Sequence, residues 1–158
     1  MSKKILILIA FDDSENAQRA VGAVAETFAR DSYITLFSVA MDTEALCKMN
    51  SPALTPYFKS QQSAFCTMAD KKKELVETAM QQAKETLMNK GFEEKNISTK
   101  NQDMQEGVAR DIIHEAEDGY DLVVIGRGGP SGIKDFFFGS TSQKVINAAR
   151  EVSIFVIK

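Results

Sequence analysis

Apolar and polar positions alternate between two periods along the chain. Ile5-Leu6-Ile7-Leu8-Ile9 is uninterrupted and apolar, which predicts a central parallel strand buried on both faces. Ala17, Ala20, Val21, Val24 and Phe28 then recur at three- and four-residue steps, predicting a helix with one inward face. Ile34 to Val39 reads as a second strand. Leu75, Val76, Ala79, Met80, Ala83 and Leu87 mark a second helix, closed by Lys90-Gly91. The more polar Ile97 to Lys100 suits a strand at a sheet edge. Val108, Ile112, Ile113 and Ala116 give a third helix ending at Asp118-Gly119. Leu122-Val123-Val124-Ile125 is again a buried strand, residues 142–149 form a last helix, and the alternating residues 152–157 form a last strand.

Residues 41–68 break this rhythm. They show no period, and Ser51-Pro52 and Thr55-Pro56 read as helix breakers. The sequence predicts a long irregular loop there, serving as a lid, a partner surface or a disordered excursion.

Strands and helices that alternate in this way predict a single α/β domain. Its form is a doubly wound, five-stranded parallel sheet with helices on both faces and strand order 3-2-1-4-5. The topological switch of such a sheet lies between strands 1 and 4, and ligands bind beyond their C-terminal ends. Those ends carry Asp12 and Gly126.

The chain's 158 residues suffice for one core without staples. A formal net charge of −3 excludes the basic footprint of a general nucleic-acid binder. Lys71-Lys72-Lys73, beside Asp70 and Glu74, reads as a solvated face at a helix start. With no long apolar stretch and an opening Met1-Ser2-Lys3-Lys4 that leads into a short strand, neither a signal peptide nor a membrane span is expected, and the default location is the cytoplasm. Cys47 and Cys66 fit no metal-ligand spacing. They are expected to be reduced, although a disulfide closing residues 47–66 is compatible with the sequence.

The candidate chemistry lies after the fourth strand. Gly126-Arg127-Gly128-Gly129-Pro130-Ser131-Gly132 is followed by Gly139-Ser140-Thr141 at a helix start. Glycines allow close backbone approach and φ > 0, and the free N–H groups and positive dipole end of the helix receive an anion. This predicts phosphates at Gly126–Ser140. Asp12-Asp13-Ser14 supplies acceptors for the start of the next helix, and the two aspartates are also candidates to meet a ligand. His114, the single histidine, lies mid-helix and reads as a surface or half-buried residue rather than a base. Phe136-Phe137-Phe138 reads as core packing or a dimer contact, and Lys134 and Lys144 as solvated side chains.

Gly126 and Gly129, then residues 130–138, then Gly139-Ser140 match the Gly-x-x-Gly, nine residues, Gly-Ser/Thr pattern of nucleotide-binding members of the universal stress protein family. Ile5–Ser14, Gly107–Ile113 and Gly132–Ser140 resemble that family's opening strand and turn, third helix start and final apolar run. The resemblance covers the whole chain outside 41–68. It implies ATP, with Mg²⁺ or Mn²⁺, bound across strands 1 and 4. Asp12 would meet the ribose or adenine, the backbone of Val39 the adenine edge, and Ile125 the base or sugar. Gly126, Gly129, Gly139, Ser140 and Thr141 would hold the phosphates. Asp13 stands where the family usually has glycine. Facing the phosphates it would repel them unless a divalent cation intervened; capping the helix it would be harmless.

The expected function is therefore an ATP-binding stress-response module whose nucleotide state alters assembly or partner choice. The resemblance implies a homodimer through the terminal strand, residues 152–157. No Walker-type lysine, general base or arginine finger stands out, so slow hydrolysis at most is expected and the chain is not read as an enzyme. An alternative from another class is a receiver-like phospho-acceptor domain, with Asp12 and Asp13 holding a metal and Asp103 taking the phosphoryl group. A family member without nucleotide is a second alternative.

Overall fold

Strand β1 (Leu6–Ala10) lies at the centre of the sheet, and the side chains of Ile7, Leu8 and Ile9 are completely buried. Successive strand residues point to opposite faces, so burial of all three requires a cover on both sides. The computed structural model, which describes residues 3–127 and 139–158, supplies it. Ile7 and Ile9 pack with α1 (Glu15–Thr27) and the C-terminal half of α3 (Pro56–Asn89). Leu8 packs on the other face with α4 (Val108–Glu117), and Val145 of α5 (Ser140–Ala148) joins that cluster.

The remaining strands are β2 (Tyr33–Ala40), β3 (Ile97–Asp103), β4 (Leu122–Gly126) and β5 (Ser153–Ile157). All described pairings are parallel, and the order is β3-β2-β1-β4-β5, as the alternation of elements predicts. Register Ile7↔Ile34 and Ile7↔Leu122 brings the C-terminal ends of β1, β2 and β4 to one side. Asp121 ties the opposite end. Its backbone N–H donates to the Leu6 carbonyl at 2.9 Å, its carboxylate accepts from the Leu6 N–H at 3.0 Å, and Lys3 Nζ lies 2.6 Å away. The polar β3 does sit at an edge, with Ser98, Thr99, Lys100 and Asn101 exposed.

The largest departure from the sequence reading is at 41–68. In place of an irregular loop the chain forms a short helix, α2 (Glu44–Lys48), and the first half of α3. Thr55-Pro56, read as a breaker, is a helix start. The Thr55 hydroxyl accepts from the Phe58 N–H at 3.1 Å, and Pro56 occupies the first turn, where its missing N–H costs nothing. The period is missing because no core lies beneath this stretch: the buried residues of α3 begin only at Val76.

Cys47 of α2 and Cys66 of α3 form a disulfide, not the reduced pair expected. Their Cα atoms stand 5.9 Å apart, within the normal span of a bridge. The Gln62 amide donates to the Leu46 and Met49 carbonyls beside it. The lysine run likewise lies inside α3, not at its start. Lys71 pairs with Glu74, Lys72 with Asp13, and Lys73 stands 4.0 Å from Asp103.

Candidate functional site

At the C-terminal ends of β1 and β4 the chain turns in opposite directions, to α1 on one face and toward α5 on the other. A cleft of about 560 Å³ opens there, within the range of ordinary ligand pockets. Ala10, Phe11, Val39, Val108 and Ile112 give it an apolar lining, which Gly139, Ser140 and Thr141 of the α5 start join.

Asp12, on the exposed turn after β1, accepts the Ser14 N–H through Oδ1 at 2.8 Å. Ser14 in turn caps α1, its hydroxyl accepting from the Ala17 N–H at 3.2 Å. This turn fixes Asp12 at the cleft wall and leaves Oδ2 for a ligand hydroxyl or amine. Asp13 is not a lining residue; its carboxylate turns to Lys72 of α3.

Val39 lies on β2, where the chain runs past the end of β1. The Phe37 carbonyl accepts from the Phe11 N–H at 2.8 Å, and the Ala40 carbonyl accepts from Met104 on the β3 side. Backbone groups of successive strand residues point to opposite edges. The N–H and C=O of Val39 therefore turn to the β1 side, beyond its last strand residue, over the cleft. Ile125, 3% exposed on β4, closes the apolar wall.

Gly126 ends β4 beside the first turn of α1. A Cβ at this position would stand 2.9 Å from Asn16 Cβ and 3.0 Å from its carbonyl oxygen, closer than packed atoms tolerate. Its carbonyl accepts from the buried Ser142 hydroxyl at 2.8 Å, which ties β4 to the start of α5. Neither Gly126 nor Gly139 is among the glycines with positive φ, and Gly139 has φ −60°. Close approach, rather than left-handed backbone, is what Gly126 requires. Gly129, and with it Lys134 and Phe136-Phe137-Phe138, lies outside the described residues.

Among the described residues no side chain caps the start of α5. Gly139 precedes its first turn and has no side chain to donate or accept, and the first intrahelical bond runs from the Gln143 N–H to the Gly139 carbonyl. Gly139, Ser140 and Thr141 line the cleft, so a helix's first turn, whose N–H groups have no intrahelical partner, borders it. The helix dipole adds positive potential there. The arrangement suits an oxyanion at this end and a flat apolar group against Val39 and Ile125.

The structure thus gathers Asp12, Val39, Ile125, Gly126, Gly139, Ser140 and Thr141 into one cleft. The sequence reading did not place Asn16, Val108, Ile112 or Lys72 at the site, and read Ser14 only as part of a helix start. Asn16 lies in the first turn of α1, four residues after Asp12, which was a usable signal; Lys72 had none, because it comes from a helix whose partner surface is formed only by folding. His114 is 65% exposed, with Glu106 at 3.6 Å, and lies outside the cleft. Asp103, on the edge strand β3, is separated from Asp12 by the whole of β2, about 10 Å at the usual strand spacing. Among the described residues no group of three His, Cys, Asp or Glu is placed to hold a metal ion.

Several solved structures share this fold. A universal stress protein, UspA, from Lactobacillus plantarum superposes with a TM-score of 0.70 at 21% identity, over 100% of each chain. A universal stress protein from Archaeoglobus fulgidus gives 0.67 at 16%, over 99% of this chain and 100% of that one. A universal stress protein in complex with cAMP gives 0.62 at 14%, over 99% and 98%. No curated protein matches the sequence. The model of the universal stress protein family matches residues 1–158, and with its sheet order and its cleft between β1 and β4 this chain belongs to that family.

Proposed function

We propose that this protein binds ATP in the cleft between β1 and β4 and acts as a nucleotide-dependent regulatory or interaction module in a stress response. The observation that carries this reading is the first turn of α5, where Gly139, Ser140 and Thr141 line the same cleft as the apolar Val39 and Ile125. Such a site favours a ligand with an anionic end and a flat apolar end. The cAMP complex of a related protein supports an adenine nucleotide.

In this reading Val39 offers backbone groups to the adenine edge, Asp12 takes a ribose hydroxyl, and Gly126, Gly139, Ser140 and Thr141 hold phosphates. Mg²⁺ or Mn²⁺ arrives with the phosphates, which supply the oxygen ligands that these ions prefer. Binding rather than turnover is the proposed activity, with hydrolysis slow at most. Two copies pair through the open edge of β5. A cytoplasmic location suits this role. Thiols are mostly kept reduced there, so the Cys47–Cys66 bridge would form and break with redox state.

The test is calorimetric titration with ATP and with cAMP, each with and without Mg²⁺, on the parent and on Gly139→Val. At φ −60° and ψ 155° the backbone of Gly139 accepts any side chain, so the variant is expected to fold while its isopropyl group obstructs the phosphate end. Saturable ATP binding that Gly139→Val weakens at least about tenfold, a difference of about 1.4 kcal/mol, is the expected result. A folded parent that takes up no ATP under any condition would sink the proposal.

A further inference from the structure

The apolar stripe of α3 runs through Val76, Met80, Ala83 and Leu87 at helical spacing. One turn earlier, on the same face, stands Lys72. At this point α3 has passed the edge of the core, and the lysine lines the cleft instead. Among the described residues that line it, Lys72 is the one cation. Its side chain is 60% exposed and ion-paired with Asp13, which is 24% exposed on the turn leading into α1.

We infer that Lys72 is a phosphate-binding residue of this cleft and that Asp13 is the carboxylate that competes for its ammonium. The inference rests on the nucleotide reading above and makes it specific: the site selects for an extended phosphate chain over a nucleoside. An ammonium on a four-carbon stem can leave one oxygen partner for another without moving the helix that bears it. Asp13 holds it at the cleft when no phosphate is present and competes for it when one arrives. Until a phosphate arrives, the second carboxylate beside the site is paired with Lys72. Lys72 and the first turn of α5 line the same cleft, so a phosphate chain bound there can meet a cation and helix amides from two elements distant in sequence.

The experiment is calorimetry of ATP and of adenosine on the parent, Lys72→Met, Lys72→Arg and Asp13→Asn, with circular dichroism to check the fold. A charge-assisted contact is worth about a factor of ten or more in affinity. Lys72→Met is expected to weaken ATP about tenfold and to leave adenosine unchanged, and Lys72→Arg to recover most of the loss. Asp13→Asn is expected to tighten ATP severalfold by removing the competitor, again without effect on adenosine. A purely structural role for Lys72 would lower ATP and adenosine together, and that result overturns the inference, as does Lys72→Met binding ATP like the parent. A parent that binds adenosine but discriminates it from ATP in no way also overturns the inference while leaving an adenine site. A parent that binds neither removes the nucleotide reading itself.

Discussion

Single residues at the two ends of the sheet do different work. At the N-terminal end, the Lys3 ammonium and then the Leu6 N–H hold the Asp121 carboxyl below the usual carboxylate range. A carboxylate with a depressed folded value stabilises the fold above its unfolded value, near 3.8, and loses that contribution as the pH falls through the lower folded value. Asp121→Asn should therefore flatten the acid limb of the stability profile while changing stability little in its shape near neutral pH. Urea unfolding from neutral pH down to about pH 3 measures this; an acid slope equal to the parent's would contradict it. At the C-terminal end, Gly126 was legible as a glycine that mattered, and only part of its reason was hidden. The sequence pattern allows close approach or φ > 0; the backbone of Gly126 is not left-handed, and the atoms that forbid a side chain belong to Asn16. A contact made by folding leaves no local trace.

Elements were legible to the extent that they bury a face. α1, α4 and the second half of α3 show the three- and four-residue step because each lies on the sheet. The first half of α3 has no such cover, so Tyr57, Phe58 and Met68 remain exposed along it and the pattern dissolves. Proline at a helix start and proline within a helix also look alike until the cap beside it is considered. The last strand gives a prediction at this scale. Ser153 donates to the Asp121 carbonyl and the Ile157 carbonyl accepts from Arg127, so the backbone groups of Ile154 and Val156 point away from β4. Val156→Pro then removes an outward N–H without breaking the ladder to β4. If two chains pair along β5, this variant should remain folded by circular dichroism and sediment as a monomer at concentrations where the parent is a dimer. A parent already monomeric, or a variant that still dimerises, would exclude pairing through this edge.

For the molecule as a whole, topology was the most legible feature. Four apolar strands and one polar edge strand alternating with helices leave few parallel arrangements open, and the observed order β3-β2-β1-β4-β5 carries both halves of the cleft to the switch point. The site residues contributed by those strands could be named in advance for that reason. Lys72 could not, since its pairing with Asp13 joins positions 59 residues apart, and the sequence shows the lysine run only as a solvated face at a helix start. The bridge between Cys47 and Cys66 spans the exposed link from Met49 to Thr55, where α2 ends and α3 begins. Exposed links of this kind are preferred sites of protease attack. A single cut there would leave two pieces still joined at sulfur, so the nicked protein should run as one band on a denaturing gel without reductant and as two with it. Two bands in both lanes would mean that no bridge had formed; with the bridge in place, the continuity of the molecule depends on a bond that any thiol can open.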